Sequence, residues 1–152
     1  MKKFIFSALA VLALSCGFVS CGSDDGDPSY SHNGTPGQET AGTYSGTFTR
    51  TNGAEVTTAQ GTITLATNAN SGNYTDVTFT CADFSLAKQS IANISFANEG
   101  FVFENSNTGN GLGSKFQGRS QNGKDLKVVF TLSQKVGRKL IEFSYSFDGA
   151  KQ

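Results

Sequence analysis

From Gly42 to the end of the chain, apolar and polar side chains alternate with a period of two. Tyr44 and Phe48 alternate with Thr43, Ser45, Thr47 and Thr49, and Val77 and Phe79 with Thr78 and Thr80. Leu126, Val128, Phe130 and Leu132 do the same, as do Ile141, Phe143, Tyr145 and Phe147. A strand places successive side chains on opposite faces, so this spacing predicts half-buried sheet with one apolar face and one Thr/Ser-rich face. No stretch of twelve residues carries helical spacing. Eight strands are predicted, near residues 43–51, 55–66, 74–86, 91–97, 100–105, 113–121, 125–133 and 138–148. Parity changes across Cys81–Leu86, which predicts a bulge or bend, and Ala87–Ser90 has room for a short helical turn.

Asn52-Gly53 and Asn122-Gly123 are dipeptides that favour type I′ hairpin turns. Short connections between sequential strands predict an antiparallel meander. Eight strands must also hide two edges, and closure into an up-and-down barrel hides both. A two-sheet sandwich is the runner-up. The expected inward set is Tyr44, Phe48, Phe79, Phe96, Phe101, Phe103, Phe116, Phe130, Phe143, Tyr145 and Phe147. So many rings predict a filled interior. Gly46, Gly61 and Gly118 share their parity and predict room between the rings. An eight-stranded barrel can be filled by side chains or hold one small ligand.

The pattern is different before residue 42. Lys2 and Lys3 precede an unbroken apolar or small run, Phe4–Leu14, of the length of a signal-peptide core and too short to span a bilayer. Two cysteines follow. Cys16 is succeeded by the apolar Gly17-Phe18-Val19, and Cys21 by the polar Gly22-Ser23-Asp24-Asp25. The second context resembles the lipobox of bacterial lipoproteins followed by an acidic export signal of the Bacteroidota type. That resemblance implies cleavage after residue 20, acylation of Cys21 and residence on the outer membrane, exposed at the cell surface. More than one acyl chain gives stable anchoring. Residues 21–41 are polar, hold both prolines and the only histidine, His32, and read as a flexible spacer with a solvated imidazole. The organisation expected is signal peptide 1–20, lipidated linker 21–41 and β-domain 42–152.

Charge narrows the partners. The precursor carries 12 basic and 12 acidic residues, and loss of Lys2 and Lys3 leaves 10 against 12. Nucleic acid would call for a basic face, which this balance does not provide. With Cys21 acylated and Cys16 removed, Cys81 has no disulfide partner, and its parity with Val77 and Phe79 predicts a small buried apolar group.

Gly42-Thr43-Tyr44-Ser45-Gly46-Thr47-Phe48, Asp83-Phe84-Ser85-Leu86 and Phe143-Ser144-Tyr145-Ser146-Phe147-Asp148-Gly149 resemble the calycin-like β-barrel domains of Bacteroidota lipoproteins. Lipocalins open on Gly-x-Trp; here Tyr44 takes that place and the chain has no tryptophan. The resemblance spans about residues 42–150. It implies an eight-stranded calycin-like barrel that binds a small apolar ligand, and it offers no catalytic residues.

Other motifs carry less. Gly118–Asp125 matches a P-loop until its last position, where Asp125 replaces the magnesium-binding hydroxyl, and strand–hairpin–strand is expected there. Gly109–Gly113 reads as a glycine-rich loop at a barrel mouth that could gate a cavity. Asp83, Glu99 and Glu104 are the carboxylates nearest apolar strands, and a hydrolase would need two of them about 5–10 Å apart. No nucleophile–base pair, metal-ligand cluster or cofactor motif is apparent. The expectation is a monomeric, non-enzymatic lipoprotein without cofactor or metal. Its barrel, lined by Tyr44, Phe48, Phe79, Phe101, Phe103, Phe116, Phe130, Phe143 and Tyr145, takes a small apolar ligand. The alternative is a solid barrel acting as a surface module that binds a protein or glycan, or as a structural unit.

Overall fold

Tight turns set the register of the sheet. The computed structural model describes residues 32–98, 100–105 and 116–152. Strand β1 (Gly42–Asn52) meets β2 (Glu55–Thr67) across Gly53-Ala54, and β7 (Asp125–Val136) meets β8 (Lys139–Lys151) across Gly137-Arg138. In both turns only the first central residue is left-handed, with φ +59° at Gly53 and +62° at Gly137. That is the pattern of a type II′ turn, so the Asn52-Gly53 pair does not form the type I′ turn its sequence suggests. Between β6 (Gln117–Gln121) and β7 the type I′ expectation holds: Asn122 and Gly123 are both left-handed, and Lys124 N–H donates to the Gln121 carbonyl at 3.1 Å.

The remaining strands are β3 (Tyr74–Cys81), β4 (Leu86–Ala97) and β5 (Gly100–Asn105), and all eight pair antiparallel in chain order. The sheet closes because β1 also pairs with β8, from Tyr44↔Lys151 to Thr51↔Ser144. This is the eight-stranded up-and-down barrel that the alternation predicts, and the sandwich is excluded. The predicted third strand, 74–86, is corrected. It ends at Cys81, and Ala82–Ser85 is a four-residue turn closed by Ser85 N–H to the Ala82 carbonyl at 2.9 Å, with Ser85 at φ +50°. The parity change is therefore a hairpin, neither a bulge nor a bend, and Ala87–Ser90 is strand because β4 starts at Leu86. Strand β6 starts at Gln117, later than predicted.

The inward faces form one core. Tyr44, Phe48, Ile63, Phe79, Phe103 and Leu126 are fully shielded from solvent, and Cys81 is 1% exposed. The Cys81 thiol sits 3.4 Å from the Gln60 carbonyl. We expect no labelling of native protein by a thiol reagent and full labelling after denaturation; rapid native labelling would contradict this register.

One segment expected as spacer is folded. Pro36–Thr40 form a single-turn helix, α1, followed directly by β1. Thr35 and Gln38 make a reciprocal capping box, and Pro36 occupies the first turn, where its missing N–H costs nothing. The helix packs on β2, β3 and β4 and closes one end of the barrel. Gly37 N–H donates to the Gly72 carbonyl at 3.0 Å, and the Tyr44 hydroxyl lies 2.8 Å from the Thr40 carbonyl and 2.9 Å from that of Gly123. The folded unit therefore includes residues 32–41. Composition hides this because backbone and capping contacts hold the segment, with few apolar side chains. Cys16, Cys21, Glu99 and Gly109–Gly113 lie outside the described residues.

Candidate functional site

The sequence points to the barrel lumen. All nine proposed lining residues, Tyr44, Phe48, Phe79, Phe101, Phe103, Phe116, Phe130, Phe143 and Tyr145, are buried, and Phe147 joins them. Phe48, Phe79, Phe116, Phe130, Phe143, Tyr145 and Phe147 form one connected set of ring contacts. Phe130 is the hub: its ring centroid lies 4.7 Å from Phe79, 5.1 Å from Tyr145 in a parallel stack, 6.4 Å from Phe116 and 6.5 Å from Phe48 edge-on. Phe48 packs on Phe147 at 4.7 Å. These separations and tilts are those of attractive ring pairs, each worth about 0.5–1.5 kcal/mol beyond buried area.

The glycines serve these rings. Gly149, Gly46 and Gly61 stand side by side across β8, β1 and β2. A Cβ on Gly61 would lie 2.7 Å from the Phe48 ring, and one on Gly149 would lie 2.5 Å from the Phe147 ring. A Cβ on Gly46 would strike the Asp148 carbonyl, and one on Gly118 the Val128 side chain. Room predicted at Gly46, Gly61 and Gly118 is thus taken by rings and neighbouring strands.

Both ends of the lumen are also occupied. Helix α1 covers one. At the other, Phe84 folds inward from the β3–β4 turn, 5% exposed, with its centroid 6.0 Å from Tyr145. The Arg50 guanidinium lies over Phe84 at 4.5 Å and over Phe143 at 4.9 Å, a cation on two π-faces. Burial raises the pKa of the Tyr145 hydroxyl; Arg50 offsets part of that, and the net shift is upward. Arg50 exerts this pull without closing a hydrogen bond of ordinary geometry, and the hydroxyl has no such partner among the described residues. Sequence parity missed Phe84 because a turn residue has none, and missed Arg50 because a charged side chain was not counted as inward.

Outside α1 the chain is strapped by His32 and Glu39. One Glu39 oxygen accepts from Asn33 N–H at 2.7 Å and Gly34 N–H at 2.9 Å, and the other lies 3.2 Å from His32 Nδ1. His32 is packed, not solvated, with its ring 3.7 Å from Phe96. Burial pushes the Glu39 carboxyl up, but His32 and the two amides outweigh it, so its pKa lies below the ordinary 4.5. A carboxyl with a depressed folded pKa stabilises fully above the unfolded value and loses that contribution as pH falls through the lower, folded one. The Asn33 and Gly34 amide resonances should therefore titrate with a midpoint below 4.5. A midpoint at or above it would contradict the strap.

Asp83 and Glu104, two of the candidate carboxylates, are held far apart. Asp83 lies in the β3–β4 turn and Glu104 opposite Asn93. From Leu86 to Asn93 is seven steps along β4, roughly 23 Å at the usual strand rise. That separation is far beyond a hydrolytic pair. Gly118–Asp125 forms strand, turn and strand, with Asp125 accepting from Gln121 N–H, and no helix follows to hold a phosphate. Among the described residues no three His, Cys, Asp or Glu side chains cluster to hold a metal.

A groove of about 410 Å³ lies outside the lumen, beside α1. It runs over the row Tyr74, Asn93 and Glu104 on β3, β4 and β5, with Pro36, Asn73, Ser95 and Phe96 around it. Phe96, an expected inward ring, leaves the core here and is 42% exposed. No family model and no curated protein matches this chain.

Proposed function

We propose that the protein is a membrane-anchored, non-enzymatic lipoprotein of the calycin-like type, whose solid barrel is a scaffold for a surface-exposed interaction. The observation that carries this is the ring cluster centred on Phe130, in which Phe48, Phe79, Phe116 and Tyr145 pack against that ring within the lumen. A carrier of an apolar ligand needs an apolar cavity, and the rings that would line it instead fill each other's contacts. The outer wall is rich in Thr and Ser, as in the 3.1 Å pair of Thr43 and Thr64 hydroxyls, and suits contact with water and polar partners. Pairing of β1 with β8 removes the two outer edges that an open eight-stranded sheet would present.

Acylation of Cys21 supplies the anchor in this proposal, and the outer membrane is the site. The expected mass spectrum of protein recovered from membranes shows Cys21 as an acylated N-terminus. An N-terminus at Cys16, or an unmodified soluble form, counts against the anchor. Titration of residues 22–152 with the apolar fluorophore N-phenyl-1-naphthylamine should give no saturable emission. Saturable one-to-one binding would return the apolar-carrier function and remove the scaffold proposal.

A further inference from the structure

We infer that the groove beside α1 binds a neutral saccharide of one or two units. This rests on the scaffold proposal and names its ligand class and site. Two aromatic side chains, Tyr74 and Phe96, line the groove. The Phe96 ring is held from beneath by His32 at 3.7 Å and by Phe101 at 5.8 Å, yet is 42% exposed. A ring fixed by its neighbours and open to water loses little freedom when a ligand stacks on it. The polarised C–H face of a pyranose is attracted to the negative face of such a ring.

Among the described residues the Tyr74 and Ser95 hydroxyls, the Asn73 side-chain amide and the Glu104 carboxylate make no hydrogen bond within the protein. Together they supply hydroxyl, amide and carboxylate chemistry, able to donate to and accept from the alternating hydroxyls of a sugar. The volume, about 410 Å³, falls at the small end of ligand sites. Among the described residues Glu104 is the one charged side chain lining it, which disfavours an anionic ligand.

The test is amide chemical-shift mapping on ¹⁵N-labelled residues 22–152, which include all the described residues. The probes are neutral hexose, pentose and N-acetylhexosamine mono- and disaccharides, with glucuronic acid as the charged comparison. A neutral saccharide should shift amides within residues 71–74 and 93–96 with saturation. Phe96→Ala should weaken that binding at least about tenfold while leaving the remaining spectrum in place, since its ring is partly outside the core. Glu104→Gln should weaken it and narrow the discrimination against glucuronic acid. Absence of shifts across the whole panel overturns the inference, as do shifts that survive Phe96→Ala or equal binding of glucuronic acid. Those failures leave the naphthylamine result untouched, so loss of the sugar site and loss of the solid scaffold are read separately.

Discussion

Phe130→Ala lowers the unfolding free energy by about 3–5 kcal/mol, the range for emptying a large buried aromatic site. The upper part of that range is expected because four rings lean on this one and three of them are on strands: Phe48 on β1, Phe79 on β3 and Tyr145 on β8, with Phe116 next to β6. The backbone at Phe130 is held by its pairing with Tyr145 on β8, which limits collapse into the void. Chemical denaturation of wild type and variant gives the difference. A loss below about 1.5 kcal/mol would mean that Phe130 borders a pre-existing cavity, because the cavity penalty would then be largely absent.

Gly61→Ala is the second large effect, a destabilisation of about 1–3 kcal/mol from one added methyl group. In an unconstrained strand the same change tends to stabilise, by about 0.4–1 kcal/mol, through the unfolded chain. Here the sign reverses. The new Cβ meets the Phe48 ring at 2.7 Å, and Phe48 is wholly buried and pressed against Phe147. The ring has nowhere to move, and on its other side the Thr80 carbonyl belongs to the backbone of β3. Equilibrium unfolding checks the sign. A neutral or stabilising result would show that the glycine row leaves space that the rings do not need.

The strands were legible because half-buried sheet imposes a period of two, and from Tyr44 to Phe147 the chain keeps it. Turn positions were legible where glycine supplies a left-handed residue, at Gly53 and Gly123, and the turn type was legible only at Asn122-Gly123. Ala82–Ser85 has no glycine: Ser85 takes φ +50° unaided and Phe84 points inward from a turn, so parity alone read through it. Helix α1 escaped because its order comes from the Thr35–Gln38 capping box and backbone contacts to Gly72, which leave little trace in hydropathy. The lining rings were identified correctly as inward, but their mutual distances, which separate a filled lumen from a cavity, belong to tertiary packing. The meaning of Gly46, Gly61 and Gly118 turned on the same point. A missing side chain signals close approach, and the sequence does not say whether a ligand or a ring approaches. The groove was invisible for a different reason. Tyr74, Asn93 and Glu104 are far apart in the chain and adjoin only through the register of β3, β4 and β5.

Xenon uptake by crystals of residues 22–152 tests the filled lumen most directly, since xenon enters apolar voids that remain dry in water. Wild-type crystals under xenon pressure should show no atom among Phe48, Phe79, Phe116, Phe130 and Tyr145, whereas Phe130→Ala crystals should show one where the ring was removed. Xenon bound within that cluster in the wild type would contradict the solid barrel.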